Sequence, residues 1–173
     1  LDDIPALLPE LRMLYEDLHL HPELSFAEVR TAGIMADRLR ALGYEVTTGV
    51  GQTGVVATLD NGDGATVLLR RDIDGVPAKE ASGLAYASTA VGHDCDGKEV
   101  PVAHACGHDM HATWLIGVAT LLATHKDAWR GRVILAVQPA EEIGGGATAM
   151  IDDGLFERFG TPDVALGQHV APA

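Results

Sequence analysis

Val133-Ile134-Leu135-Ala136-Val137 runs without a polar interruption into Gln138-Pro139-Ala140-Glu141-Glu142, and the triplet Gly144-Gly145-Gly146 follows. A strand with one wet face alternates apolar and polar residues. An unbroken apolar run predicts a strand covered on both faces, as in an α/β sheet with helices on either side. Two further runs end in the same manner. Thr66–Leu69 leads into Arg70-Arg71-Asp72-Ile73-Asp74, and Val164–Leu166 leads into Gly167-Gln168-His169. Open α/β sheets bind ligands beyond the carboxyl ends of their strands. Three strand ends therefore deliver carboxylates or an imidazole to one edge.

Outward from these strands, Ile4 to Leu20 places Leu7, Leu8, Leu11, Leu14, Tyr15 and Leu18 in a helical stripe. Ser25-Phe26-Ala27-Glu28 reads as a capping box opening a second helix through Ile34, Met35 and Leu39 that ends near Gly43. Tyr44–Val50, Gly54–Leu59 and Ala65–Leu69 are short aliphatic or β-branched runs between glycine turns, and predict strands. After a loop from about Gly75 to Val102, Thr113–Leu122 is helical, Ala147–Ile151 a short helix and Val164–Leu166 a last strand.

A fourth cluster is His104-Ala105-Cys106-Gly107-His108-Asp109-Met110-His111. In an extended segment, side chains two apart share a face, so His104, Cys106 and His108 are expected to point together. Thiolate, imidazole and carboxylate form the ligand set of zinc and similar divalent metals. His108 and His111 open a helix, whose dipole disfavours imidazolium and is expected to keep them neutral. His93, His125 and Cys95 lack such a setting and read as ordinary residues; His19 and His21, at a helix end, read as structural. The glycine triplet is followed by no Lys-Ser or Lys-Thr, so it is not a phosphate loop. His-Glu-x-x-His and Gly-x-Ser-x-Gly are both absent.

The bulk properties narrow the partners. The 173 residues suit one domain, and 47% hydrophobic with 21% charged residues is globular composition. A net charge of −13 argues against nucleic acid and against anionic membranes. No apolar stretch approaches the roughly 20 residues that cross a bilayer, and the acidic start Leu1-Asp2-Asp3 is unlike a signal peptide. With Cys95 and Cys106 the only cysteines, a reduced, cytoplasmic setting is expected.

The stretches HLHPELSF (19–26), LRRDIDGVP (69–77), HACGHDMH (104–111), QPAEE (138–142) and GQHVAP (167–172) together resemble the amidohydrolase branch of the metallo-aminoacylase and carboxypeptidase family. That branch includes hippurate hydrolases, N-acyl-amino-acid amidohydrolases and auxin-conjugate hydrolases. The resemblance implies a three-layer, zinc-exopeptidase-like α/β catalytic domain whose central sheet is mixed but mainly parallel. It implies two divalent metal ions, zinc or manganese with cobalt or nickel as further options. Cys106, His108, Glu142 and His169 fall at its metal ligands and Glu141 at its general base. Asp74, with Asp72, falls in the motif that lines and orients the site, and Asp74 is expected beside Glu141 as a catalytic residue. The implied substrate is a small N-acyl amino acid, and the implied full-length assembly a homodimer.

Arg71, Gln168 and Gly75 depart from residues common in that branch. Length departs further. Family members carry a lid or dimerisation domain inserted in the catalytic domain and a last ligand histidine late in the chain. Residues 1–173 are therefore expected to be the N-terminal part of the catalytic domain, weakly active or inactive alone. A dipeptidase or carboxypeptidase of the same family, and a non-catalytic metal-binding module, are the alternatives.

Overall fold

The structure, a computed structural model, describes residues 3–171. Leu1, Asp2, Pro172 and Ala173 lie outside the described residues, and with them most of the acidic start and the end of the GQHVAP stretch. The described residues form seven strands and five α-helices in the order α1 Ile4–Leu20, α2 Val29–Ala41, β1 Glu45–Val50, β2 Gly54–Asn61, β3 Thr66–Asp72, β4 Val91–His93, β5 Glu99–Pro101, α3 His108–Thr124, β6 Gly131–Gln138, α4 Gly146–Asp152, α5 Leu155–Phe159 and β7 Val164–Gly167. The main sheet has the order β1-β2-β6-β3-β7.

Strand β6 explains why its sequence is apolar throughout. Val133, Leu135 and Val137 face a core shared with Leu14 and Leu18 of α1, Met35 and Leu39 of α2, and Leu115 and Ile116 of α3. Ile134 and Ala136 face a second core with Met150 and Leu155. Helices thus cover both faces, and each fully buried Leu or Ile contributes roughly 1.5–3 kcal/mol. The three-layer expectation holds. The sheet is more evenly mixed than expected: β6–β3 and β3–β7 are parallel, while β1–β2 and β2–β6 are antiparallel. An apolar run reports burial on both faces, not strand direction, so it could not separate these pairings.

Within the stretch expected to be loop, β4 and β5 form a separate hairpin. Helix α3 begins five residues earlier than its apolar stripe suggested, at His108 after Gly107 in the left-handed region (φ 80°). A Cβ at Gly107 would meet Val170 Cγ1 at 2.3 Å, so both backbone and packing demand glycine there.

The capping box does not form. Helix α2 starts at Val29, and its first-turn N–H groups of Arg30 and Thr31 donate to Glu23 Oε1 (2.9 Å) and Oε2 (2.7 Å). Glu28 is instead fully buried, accepting from Thr53 Oγ1 (2.5 Å) and from the Ala140 N–H (2.7 Å). Ala140 has φ 47°, a left-handed conformation costing a non-glycine residue about 1–2 kcal/mol. Glu28 thus pins the strained turn that carries Glu141 and Glu142. Burial raises its carboxyl above the usual range, though the Thr53 and Ala140 hydrogen bonds oppose this. Replacing it by alanine orphans two polar groups, one of them the buried Ala140 N–H. We expect Glu28→Ala to lower unfolding free energy by about 2–4 kcal/mol, and Glu28→Gln, which keeps an acceptor, by less than half as much. Urea titration checks this; equal losses would show that the two hydrogen bonds are not what matters.

Candidate metal centre

Parallel register brings the three strand ends level. Asp72 of β3 pairs with Gln138 of β6, and Arg70 with Gly167 of β7. The chain beyond each end then supplies Asp74, Glu141 and Glu142, and His169, while the first turn of α3 adds His108 and His111.

His108 is fully buried at the centre. Its Nδ1 lies 2.9 Å from the Asp74 carbonyl and 3.2 Å from Asp74 Oδ1. A carbonyl cannot donate, so Nδ1 carries the proton and the Nε2 lone pair is left free. That atom lies 3.6 Å from Glu142 Oε1, 3.7 Å from Asp72 Oδ1 and 3.9 Å from Glu141 Oε2. Burial pushes the imidazole down, but Asp74, Asp72 and Glu142 outweigh it and hold His108 above the ordinary histidine value. The nearby carboxylates thus act on His108 in the direction opposite to the helix dipole. For Asp74, burial raises the carboxyl, yet His108, Ser25 and the backbone N–H groups of Glu142 and Glu141 bring it below the usual range.

His111 also reaches this edge. Its Nδ1 donates to Asp72 Oδ1 (2.5 Å), and its Nε2 accepts the Val170 N–H (2.8 Å). Burial, with the charges of His108 and His169, lowers it despite Asp72. Ligand atoms of His108, His111 and His169 fall within 4.8 Å of one another, as do those of Asp72, His108 and Glu141. With both nitrogens engaged, His111 has no lone pair to give a metal; it stitches α3 to the segment after β7. His169 is exposed, its ring 4.6 Å edge-on from His111 and 5.8 Å from His108.

Cys106 lies in neither tight group. Its thiol faces Glu142, and that hydrogen bond, then burial, pushes it up to about 11. A thiol held so high is no nucleophile, and becomes a thiolate only beside a cation. His104, expected on the same face as Cys106 and His108, is packed away. It is 6% exposed, neither ring nitrogen has a hydrogen-bond partner among the described residues, and burial lowers it to about 4.

Do these residues fit a metal? His108 Nε2, Glu142 Oε1 and Asp72 Oδ2 are buried without a hydrogen-bond partner among the described residues. Arg70 Nη1 lies 2.6 Å from Asp72 Oδ2 but outside hydrogen-bonding geometry. Two ligands on one ion at about 2.1 Å sit roughly 3–3.5 Å apart, close to the His108–Glu142 separation. Thiol, imidazole and clustered carboxylates suit a divalent ion, and the negative excess is what a cation relieves. The fit is good.

Several contributors escaped sequence reasoning. Ser25 Oγ donates to Asp74 Oδ2 (2.7 Å), as does the Glu142 N–H (3.0 Å). His19, expected to be structural, joins the start of α3 to the loop after β3, its Nδ1 2.6 Å from Asp109 Oδ2 and its Nε2 3.0 Å from Glu80 Oε1. Two of the residues that depart from the resemblance meet: Arg71 Nη2 donates to Gln168 Oε1 at 3.3 Å, tying β3 to the segment after β7. Only a tertiary contact could reveal these pairs.

Comparison with known proteins gives the family. Residues 68–173 match the family described as Peptidase family M20/M25/M40. The chain is 41% identical to the hippurate hydrolase of Campylobacter jejuni over 173 residues, covering 98% of this chain and 42% of that protein. It is 38% identical to thermostable carboxypeptidase 2 of Saccharolobus solfataricus, covering 98% of this chain and 41% of that one. Among solved structures, Bacillus subtilis YXEP protein, described as a dinuclear metal binding peptidase from the M20 family, superposes with a TM-score of 0.85 at 34% identity. That match covers 97% of this chain and 44% of the other. A three-layer α/β fold is therefore what this protein shares with that structure over nearly all of its length. The chain belongs to peptidase family M20/M25/M40. It spans about two-fifths of the length of the relatives named here. Among the described residues, no helix is long and apolar enough to cross a membrane.

Proposed function

We propose that this chain carries the metal-binding part of an amidohydrolase that cleaves N-acyl amino acids, with Cys106, His108, Glu142 and His169 as metal ligands. The observation that supports this most is the pair of buried atoms His108 Nε2 and Glu142 Oε1, without hydrogen-bond partners among the described residues and 3.6 Å apart. When bound there, a pair of divalent ions supplies positive charge that polarises the amide carbonyl and acidifies water. Glu141 and Glu142 divide their work by exposure: the Glu142 side chain is 21% exposed, that of Glu141 38%. Glu141 therefore meets solvent and accepts a proton from the attacking water. Oxygen bonds to the acyl carbon, the C–N bond breaks, and Glu141 returns the proton to the leaving amine. Asp74 touches no substrate in this scheme; it fixes the His108 tautomer and the Glu142 backbone.

We further propose that residues 1–173 form the N-terminal part of a longer catalytic domain, a reading that the share of each relative spanned supports. On its own this part turns over weakly or not at all. The activity test therefore uses the whole encoded protein on N-acetyl and N-benzoyl amino acids, with zinc, manganese, cobalt or nickel. We expect turnover that EDTA abolishes and metal restores. Activity untouched by chelation would sink the metal reading. Preference for peptides over N-acetyl and N-benzoyl amino acids would favour the dipeptidase or carboxypeptidase alternative, to which the 38% relative lends weight.

A further inference from the structure

Beside Glu142 the structure holds a cavity of about 480 Å³, walled by the 24–26 turn, the chain just after β3, the tip of the β4–β5 hairpin, and Glu142 with Ile143. Its size lies in the range of small-molecule sites. The cavity borders the candidate metal centre: Glu142 belongs to both, and Ser25 in its wall donates to Asp74. Leu24, Phe26, Val76, Pro77 and Ile143 make most of the wall apolar. Ile143 is 64% exposed, a large apolar side chain left in water immediately after the acid pair.

Two features argue that this surface is built for an occupant. Phe26 sits at φ 61°, a left-handed conformation unusual for an aromatic residue. It is held there by the Ala27 N–H to Leu24 carbonyl bond (2.8 Å) and by its neighbour Ser25 on Asp74. Its ring lies against Gly145, where a Cβ would stand 3.3 Å from Phe26 Cε2. The glycine triplet thus makes room for an aromatic wall rather than for a phosphate. The second feature is charge. The lining contains no Lys or Arg, and its carboxylates are Asp94 and Glu142. Beside Asp94, and with His93 as the one imidazole of the lining, a free α-carboxylate finds no permanently charged Lys or Arg to pair with, whereas an uncharged acyl group needs none.

We infer that this cavity is the acyl-group subsite of the amidohydrolase, taking an apolar aromatic or aliphatic acyl chain, and that Phe26 and Ile143 set its preference. The inference rests on the reading under Proposed function. It places the amino-acid half of the substrate elsewhere, away from Asp94.

The test uses the metal-loaded whole encoded protein and its Ile143→Ser and Phe26→Ala variants, each checked for folding by thermal unfolding. We measure kcat/KM for N-acetyl and N-benzoyl forms of one amino acid, and for one acyl group on several amino acids. We also measure binding of benzamide, an uncharged benzoyl amide, by calorimetry. Removing several apolar carbons is expected to cut the benzoyl-to-acetyl ratio about tenfold, to weaken benzamide binding, and to leave preference among amino acids unchanged. Losses equal for both acyl groups, or a shift in amino-acid preference instead, would overturn the subsite. Ile143 lies on the surface, so its variant is the safer of the two to fold. A wild-type protein that cleaves peptides but no N-acyl amino acid would overturn the functional reading itself.

Discussion

Glu141→Gln in the metal-loaded protein is expected to lower kcat by about a thousandfold or more while leaving KM and metal content near wild type. Glutamine keeps the shape of the side chain and its reach toward His108, 3.9 Å away, but cannot hold a proton from water. The measurement must pair kinetics with metal analysis, because the same geometry allows a rival role. Glu141 groups with Asp72 and His108 closely enough to share an ion. If the variant loses metal in proportion to activity, Glu141 is a ligand and not the base. If kcat falls less than tenfold, another group moves the proton.

The second large effect is expected at Asp74. Asp74 is buried, and its side chain collects three donors: Ser25 Oγ, the Glu142 N–H and His108 Nδ1. In Asp74→Ala the Glu142 N–H loses its acceptor in a site that admits little water. We expect a stability loss of about 2–4 kcal/mol and a fall in metal affinity of roughly 10–100-fold, as happens when a ligand histidine loses its outer partner. Asp74→Asn should not restore affinity. Its amide brings a donor to a position surrounded by donors, so one N–H must remain unpaired. Competition with a chelator reads the affinity, and urea unfolding reads the stability. An asparagine variant that binds metal like wild type would show that Asp74 only fills space.

The cores and the site differ in how they are encoded. Val133–Val137 announced a doubly covered strand because each of its residues must be apolar when helices lie on both sides. The acids following it, like those following Thr66–Leu69, pointed to the candidate site because parallel strands end together. Both signals are local, periodic and readable from neighbouring residues. Capping failed as a signal for the opposite reason. Ser25 and Glu28 have the right spacing for a capping box, but Asp74 and Ala140, 49 and 112 residues away, compete for them and win. A buried carboxylate facing an orphan N–H is worth more than a solvated cap.

From the sequence alone came the layered α/β class, the edge where chemistry collects, and the candidates Cys106, His108, Glu141, Glu142, Asp74 and His169. Tertiary structure decided which of them meet. It put His108 at the centre, buried His104 without a partner among the described residues, turned His111 into a stitch, and set Cys106 beside Glu142. The reason is physical. Period and composition fix which face of an element is dry, but the direction of a lone pair depends on partners brought from distant parts of the chain.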